Sequence, residues 1–568
     1  MNVTSYSLVL LTFILLFHKK ISGNFHLFFF LFLEVGAAMA VDDPYTVVTD
    51  ITIGLGAPIS PITPLTPDAV SRQQWHRIEK DLYLHSANQS AWLYVATLKE
   101  EELTTDDLVV TQVRVGKQNS IDDAGRGWES RPAGIRIQRG KYTENHEAVA
   151  GLDVLFGTDA VDPRPQWTLI RRPLDLGIDA RPEIPVARLT LRNGKVKPGP
   201  DDPRPPNPLR VREDGKFRIV QISDTHMVTG VGVCKDAIDA DGNFLPPSIA
   251  DPLTVDFIGR VLDIEEPDLV ILTGDQLHHD ILDSQSAIFK VVDPLITRSI
   301  PFAAVFGNHD AEGTYALSRA SQMSLLQSLP FSLCQDGPQE VEGVGNYHLQ
   351  VFSHTSQSPL ITLFFLDSHG QIHSEVKDPD YEPIEQGQIE WFKKISQELR
   401  KTRGNNIESN SSSHVSLAFM HIPFPEYADG NLKISGGQRR EPTEGPSLNS
   451  HFYDALVEEG VVAVGCGHDH VNDFCGLLPR HESEESPQTR RRSPQVGPWL
   501  CYGGGSGFGG YCSYGENRYY RRMRVWEFDT TSGSIATWKR VEYASERMDE
   551  LVLVESGRVV TPSPSSSR

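Results

Sequence analysis

Between residues 93 and 156 short aliphatic runs alternate with turn-forming residues: Leu93–Thr97, Leu108–Val113, Ile135–Ile137 and Leu152–Phe156 are separated by Gly, Pro, Asn and Asp. Runs of that length and β-branched content predict strands, so residues 45–195 read as an N-terminal all-β domain. Trp75, Trp128 and Trp167 each open a segment that continues with aliphatics, a weak internal repeat that suggests a three-fold β arrangement. Residues 196–214 follow as a stiff linker, because the prolines between Pro198 and Pro208 remove backbone donors.

Beyond the linker the pattern changes. Phe217–Ile222, Asp268–Leu272, Phe302–Phe306, Ile361–Leu366, Val415–Met420 and Val461–Val464 are near-continuous apolar runs, as strands buried on both faces give. Val255, Ile258, Val261 and Leu262 share one face of a helix that Asp251 and Pro252 are placed to cap and open, and Trp391, Ile395 and Leu399 share a face of another. The two periods together predict a layered α/β sheet over residues 215–545. Gly404–Ser413 and His481–Ser493 read as surface insertions, and residues 546–568, Ser/Pro-rich at their end, as a disordered tail.

The chain has 568 residues, 39% hydrophobic and 23% charged, which is the make-up of a soluble globular protein of two or more domains. Its first 40 residues do not belong to that fold. The apolar blocks Tyr6–Phe17 and Leu27–Leu33 are each shorter than the roughly 20 residues a membrane helix needs. Lys19 and Lys20 precede the second block and Ala38-Met39-Ala40 follows it, the layout of a secretory signal. Residues 1–40 are therefore expected to be a signal peptide or signal anchor that sends the rest into the secretory pathway. Acceptor sequons at Asn88 and Asn410 agree with a glycosylated, lumenal chain. A formal charge of −22 repels polyanions and argues against nucleic acid as a partner. The six cysteines form no CxxC pair, so structural zinc is not expected.

Candidate chemistry gathers where the predicted strands end. Ser223-Asp224-Thr225-His226, Gly274-Asp275, Gly307-Asn308-His309-Asp310, His421 and Gly467-His468-Asp469-His470 each follow an apolar run. Ligands of open α/β sheets collect at the carboxyl ends of strands, so residues far apart in sequence converge there. Any one of these residues has an ordinary structural use, a capping Asp224 or a hydrogen-bonded His421 for example. The set together points to a metal centre.

In order and spacing the set resembles the calcineurin-like metallophosphoesterases, whose motifs run Asp-x-His, Gly-Asp, Gly-Asn-His-Asp/Glu, His and Gly-His-x-His. The strings Asn472–Gly476 and Leu500–Gly505 are similar to the plant purple-acid-phosphatase-like group and its fungal relatives. The resemblance implies a layered metallophosphoesterase β-sandwich flanked by helices, preceded by the N-terminal all-β domain. It implies two divalent or trivalent transition metal ions, Fe, Zn or Mn, one held by Asp224, His226, Asp275 and His470, the other by Asp275, Asn308, His421 and His468. Physics favours a shared Asp275, since two cations roughly 3.5–4 Å apart need an anionic bridge. His468 and His470, two apart, point to the same side of an extended segment. By the same resemblance a bridging water attacks phosphorus while His309 protonates the leaving oxygen and Asp310 orients the His309 ring. True purple acid phosphatases carry Gly and Tyr where His226 and His278 stand here, so no ferric tyrosinate is expected.

The implied activity is hydrolysis of phosphomonoesters, a phosphoprotein or a small phosphoester. The alternatives are a phosphodiesterase or nuclease of the same superfamily, and a catalytically weak binding protein. The three-fold β pattern is similar to β-prism modules that dock on membranes, so membrane or protein docking through that domain is a further expectation. His278, His279 and Asp367 either shape a substrate pocket or serve structure, and Arg439 and Arg440 either meet phosphate or lie on a solvated loop. Gly503–Gly510 lacks the Lys-Ser/Thr of a phosphate cradle and reads as close backbone packing under the metal site.

Overall fold

The computed structural model describes residues 41–42, 46–56, 73–84, 89–116, 127–142, 148–177, 185–194, 208–372, 374, 380–405, 414–479 and 497–561. The expected leader, the sequon asparagines Asn88 and Asn410, His481–Ser493 and most of Gly404–Ser413 lie outside them.

The N-terminal β region is built from β1 (Val41–Asp42), β2 (Thr46–Gly56), β3 (Gln74–Arg77), β4 (Ser90–Lys99), β5 (Leu108–Val115), β6 (Trp128–Ser130), β7 (Ile135–Lys141), β8 (Val149–Phe156), β9 (Trp167–Leu169) and β10 (Ala187–Asn193). These form three antiparallel sheets with the same internal order: β2-β4-β3, β5-β7-β6 and β8-β10-β9, with β1 added outside β8. Each sheet places the third strand of its unit in the middle and a tryptophan, Trp75, Trp128 or Trp167, on the second strand at the edge. The tryptophan repeat thus marks a three-fold structural repeat. The inward aliphatics of all three sheets, among them Val48, Leu93, Val110, Ile137, Leu152 and Leu189, merge into one core. Arg114 and Arg164 lie over the Trp128 and Trp167 rings at 4.0 and 3.7 Å, a cation–π contact that covers exposed edges.

Residues 208–211 do not swing free. Leu209 and Val211 exchange backbone hydrogen bonds with Phe352, which fastens the end of the proline-rich stretch to the following sheet. From there the chain runs β11 (Lys216–Ile222), α1 (Ala250–Glu265), β12 (Leu269–Thr273), α2 (Ser284–Ile296), β13 (Phe302–Val305), α3 (Arg319–Gln327), β14 (Tyr347–Phe352), β15 (Pro359–Phe365), α4 (Gln386–Asn405), β16 (Val415–Phe419), β17 (Lys433–Ile434), α5 (Phe452–Glu459), β18 (Ala463–Cys466), β19 (Cys475–Leu477), β20 (Trp499–Tyr502), a small hairpin β21 (Ser513–Tyr514) and β22 (Asn517–Arg518), β23 (Arg522–Asp529), β24 (Ser534–Val541), β25 (Met548–Glu555) and β26 (Arg558–Val559).

Two seven-stranded mixed sheets result, β13-β12-β11-β23-β24-β25-β26 and β14-β15-β16-β18-β20-β19-β17. Side-chain alternation explains the layering. Phe217, Ile219, Leu269 and Ile271 of the first sheet meet Ile361, Leu363, Leu417 and Phe419 of the second in the inner core. The intervening residues Val220, Ile222, Val270 and Leu272 face α1 and α2, while Phe364, Leu366, Ala418 and Val464 face α4 and α5. A strand buried on both faces is apolar at most positions, which is why the sequence runs were near-continuous. The layered β-sandwich flanked by helices is the fold expected from the sequence.

The β region is welded to this sandwich. Leu155 and Ala160 join the core under α1 and α2. The Phe156 N–H donates to Ser286 Oγ at 2.9 Å, Gln285 donates to Asp153 at 2.9 Å, and Lys80 lies 3.3 Å from Asp153 and 3.7 Å from Asp283.

Two expectations need correction. Residues 546–561 are ordered: β25 pairs with β24, burying Leu553 and Val554, and Trp499 donates its indole N–H to the Leu553 carbonyl at 3.0 Å. The apolar run Leu551–Val554 between Glu550 and Glu555 is a strand signal that the Ser/Pro-rich end obscured; the residues after Thr561 are not described. Asp251 does not cap α1, which begins one residue earlier at Ala250. Its buried carboxylate instead accepts from the Val228 N–H at 3.0 Å and from Lys290.

Candidate metal centre

Each donor sits just past a strand end, where the chain must turn sharply. Asp224, His226, Asp275 and His468 all have left-handed backbone, with φ of 56°, 46°, 50° and 76°. Such conformations cost non-glycine residues of order 1–3 kcal/mol each and persist where surrounding structure imposes them. Glycine permits the turns. A Cβ on Gly274, itself at φ 90°, would lie 2.3 Å from His421 Nδ1, and one on Gly307 would lie 2.1 Å from Asp275 Oδ1.

The seven sequence-predicted ligands come together in two adjoining groups. Asp224, His226, Asp275 and His470 offer ligand atoms within 4.8 Å of one another, and so do Asp275, His421 and His468. Asn308 adds its side-chain oxygen to the second group, 3.2 Å from His421 Nε2. Asp275 belongs to both, as a bridge requires.

The donor set also shows that a cation fits. His470 Nδ1 donates to the Tyr511 carbonyl at 2.8 Å and the ring stacks on Tyr511 at 4.0 Å, leaving Nε2 as a lone pair. That lone pair lies 3.0 Å from His226 Nε2 and 3.5 Å from Asp224 Oδ1. His421 Nδ1 donates to the Thr273 carbonyl at 2.8 Å, so its Nε2 faces Asp275 Oδ2 at 3.3 Å and the Asn308 oxygen. His468 Nε2 is buried with no hydrogen-bond partner. The buried, unpartnered His468 Nε2 and the crowding of imidazole nitrogens against carboxylate oxygens are what a cation between them would satisfy, and the fixed Nδ1 donors are the outer-shell contacts that orient ligating imidazoles. Burial, reinforced by neighbouring imidazoles, pushes His226 and His468 well below the usual histidine range, and burial brings His470 to about 3; all three are neutral, the ligating form. Burial lifts Asp224, whereas Asp275, against the pull of burial, is held below the carboxylate range by His421 and His309.

His309 stands at the rim, its side chain 31% exposed. Nδ1 bonds the Glu312 carboxylate and Nε2 points inward, 4.0 Å from Asp275 Oδ2. Burial alone would depress its pKa, but Asp275 and then Glu312 lift it to about 9, so the ring is protonated near neutral pH. Asp310 does not orient that ring, contrary to expectation. Its buried carboxylate accepts from the backbone N–H groups of Gly307, Asp275 and Leu277 at 2.7, 3.1 and 2.9 Å, fastening one donor loop to the other. Adjacent residues point apart when they open a turn of helix, and the residue three along shares the His309 face. That helical spacing was the signal for Glu312, hidden because the motif reads as a loop.

The remaining candidates separate. His278 is nearly buried, 5.8 Å from the His226 ring between centroids, with Nδ1 on Asp280 at 2.7 Å and Nε2 on Lys235 Nζ at 3.0 Å. His279 is exposed, its ring 5.6 Å from that of His309. Asp367 is buried and bonded to Arg319, to the Val344 N–H at 2.8 Å and to the His369 N–H at 3.0 Å. Arg439 bonds the Tyr427 carbonyl and Arg440 pairs with Asp473 at 2.6 Å, so both are committed to structure. Gly503–Gly510 packs under the centre: a Cβ on Gly505 or Gly510 would lie 2.9 or 2.6 Å from the His470 ring side. Beside Asn308 and Glu312 opens a cavity of about 410 Å³, lined also by Arg319, Asp367, His369 and Glu382.

Comparison with known proteins places this geometry in context. The calcineurin-like phosphoesterase family matches residues 217–472. Over 413 residues the chain is 35% identical to the Saccharomyces cerevisiae protein named Phosphatase DCR2, covering 69% of this chain and 64% of that one. Over 360 residues it is 35% identical to an Arabidopsis thaliana protein named Probable inactive purple acid phosphatase 29, covering 59% of this chain and 84% of that one. Among solved structures, a dimetal phosphatase from Danio rerio is similar at a TM-score of 0.38 and 14% identity, over 60% of this chain and 99% of that one.

Proposed function

Because the chain belongs to the calcineurin-like phosphoesterase family, we propose that it is an active metal-dependent phosphatase that hydrolyses phosphomonoesters at a two-metal centre. The observation that carries this reading is the convergence of seven donors, with Asp275 common to both groups and His468 Nε2 buried without a partner. An inactive copy has no reason to keep three neutral imidazoles and two carboxylates aimed at one buried space. The plant relative's name describes that protein; in this chain the donor set is complete.

Asp224, His226, Asp275 and His470 would hold one ion and Asp275, Asn308, His421 and His468 the other; imidazole mixed with carboxylate suits Fe, Zn or Mn. When bound, two such cations neutralise phosphoryl charge and acidify water, which supplies a nucleophile near neutral pH. The chain's own residues do the rest. The His309 N–H donates to Asp275 Oδ1 at 2.9 Å and fixes the shared carboxylate. His309 Nε2–H, aimed into the centre with Glu312 behind it, is placed to give its proton to the departing ester oxygen. The cavity beside Asn308 and Glu312 has room for the alcohol part of the ester, and its polar lining suits a hydrated group such as a phosphorylated side chain.

The deciding experiment is metal analysis of the purified protein with a panel of phosphomonoesters and phosphodiesters. Hydrolysis of monoesters with two bound ions per chain is expected. Preference for diesters would support the phosphodiesterase alternative, and two bound ions with no turnover on any ester would refute the enzymatic reading. We also propose a lumenal address. The leader pattern supports it, and so does the Cys475–Cys501 disulfide between β19 and β20, since such bonds persist in oxidising compartments. Among the described residues no helix is long and apolar enough to cross a membrane.

A further inference from the structure

Lys235 lies in the loop that follows His226, and the structure fixes it at both ends. Its backbone N–H donates to the Phe508 carbonyl at 2.9 Å, and its carbonyl accepts from the buried Arg521, which also binds the Gly510 carbonyl at 3.1 Å. Phe508 and Gly510 belong to the glycine-rich run packed against His226 and His470, so the Lys235 backbone is anchored to the floor of the metal centre. At the other end its Nζ meets His278 Nε2 at 3.0 Å. The tautomer follows from the partners. A carboxylate only accepts, so His278 Nδ1–H donates to Asp280, and Nε2 is left as the acceptor for the lysine. His278 in turn rests against the His226 ring.

A long lysine side chain normally loses rotamer freedom when it binds, and here the Asp280–His278 pair has already restricted it. Its head group is otherwise unspent. Among the described residues no carboxylate pairs with Lys235, whereas Arg319 is taken by Asp367, Arg440 and Arg522 by Asp473, and Arg521 by backbone carbonyls. Two N–H directions of the ammonium stay open beside a centre whose own ionisable side chains include Asp224 and Asp275, in a chain of net charge −22. A lysine ammonium at the mouth adds to His309 at the rim in drawing an anionic substrate against that field.

We propose that Lys235 binds the phosphoryl oxygens of the substrate, with His278 and Asp280 as positioning residues that hold its ammonium beside the His226 side of the centre. This deepens the phosphatase reading and rests on it for the identity of the substrate. With both ring nitrogens engaged, His278 is a holder of lysine and not an additional metal ligand. The contribution is uniform binding, made to bound phosphate as well as to the reacting ester, so it enters KM and leaves kcat largely unchanged.

The test uses the full-length metal-loaded protein. Inorganic phosphate is titrated by calorimetry and as a competitive inhibitor of phenyl phosphate hydrolysis, with metal content measured in every variant. Lys235→Gln should weaken phosphate binding about tenfold and raise KM in step, the scale of one charge-assisted hydrogen bond at an open site, with kcat within about twofold. Lys235→Arg should restore most of the affinity. Asp280→Asn, an exposed change that does not threaten folding, should weaken phosphate about threefold in the wild-type background and have no effect when Lys235 is already Gln. Unchanged phosphate affinity in Lys235→Gln would overturn the proposal, and so would equal effects of Asp280→Asn in both backgrounds. Calorimetry reads phosphate without turnover, so an inactive protein would refute the phosphatase reading while still deciding the role of Lys235.

Discussion

Replacing Glu312 by Gln keeps the size of the side chain and removes the charge that holds His309 Nδ1. A hydrogen bond to a charged group is worth roughly 1.5–3 kcal/mol when shielded. The Glu312 and His309 side chains are 48% and 31% exposed, so screening reduces the expected loss to about 1 kcal/mol. At 1.36 kcal/mol per tenfold, Glu312→Gln should slow turnover of a poor leaving group about fivefold. His309→Ala removes the proton donor itself and should cost about 10²–10⁴-fold on the same substrate. Both deficits should shrink on nitrophenyl phosphate, whose leaving group departs without a proton. Asp310→Asn is the contrast: its carboxylate ties three backbone N–H groups, so its loss should lower stability and slow both substrates alike. The assay is kcat for a phosphoserine peptide and for nitrophenyl phosphate, with metal content, across the variants. Equal losses on the two substrates for His309→Ala, or loss of metal from it, would refute the leaving-group role.

Deleting residues 546–568 removes two buried side chains, Leu553 and Val554, at about 1.5–3 kcal/mol each, and strands the Trp499 indole N–H at about 1–3 kcal/mol. The summed loss of about 4–9 kcal/mol rivals the whole stability of a typical domain, so urea unfolding should show a large fall in midpoint; an unchanged midpoint would count against β25 as part of the core. His414, half-buried beside Thr362 and Arg403, is depressed by burial and then by Arg403 to about 3. Its stabilising contribution is complete above the unfolded value near 6.5 and is lost as pH falls toward 3, so His414→Gln should flatten the stability profile by about 2 kcal/mol between pH 7.5 and pH 5 in urea titrations. A chelator should lower the melting temperature reversibly, because free metal 100-fold above Kd stabilises by about 2.7 kcal/mol per site. Asp275→Asn should bind less than two ions and gain little from added metal; a melting curve indifferent to metal in the unmodified protein would dispose of the centre.

What the sequence disclosed and what it hid divide along physical lines. Strands buried on both faces announced themselves as mostly apolar runs, because a polar side chain there needs a buried partner, as Gln221 of β11 finds in Thr273 and the Cys466 carbonyl. Their carboxyl ends were equally legible: once a layered sheet was predicted, the donors after each run had to converge. Short edge strands such as β17 and β26 carry too few residues to show a period. The helix α2 was hidden for a different reason. Eleven of its thirteen residues are buried, because one side meets the sheet and another the β region, and Pro294 lies inside it, a residue that argues against a helix interior. Lys235 and Glu312 escaped because each acts through a contact with a predicted residue, and the sequence spacing of Lys235 from His278 records nothing of their 3.0 Å approach.

The left-handed backbone at four donors links the strand ends to the site. A side chain that continued along its strand would stay in the sheet layers; a sharp turn at the strand end is what brings Asp224, His226, Asp275 and His468 back over one point. The summed strain, about 4–12 kcal/mol at ordinary values, is comparable to a domain's net stability, so the turns must be imposed by something stronger than local preference. The structure shows what imposes them. The Asp310 carboxylate gathers the N–H groups of two donor loops, the Ser506 and Gly507 N–H groups bond the carbonyls of Ser223 and Asp224 at 3.0 and 3.1 Å, and His226 N–H bonds the Asp275 carbonyl at 3.0 Å. Each donor loop is therefore held by backbone bonds from another. That mutual bracing explains why residues that are not among the donors, Asp310 and the glycines at 503–510, had to accompany the donors in the sequence.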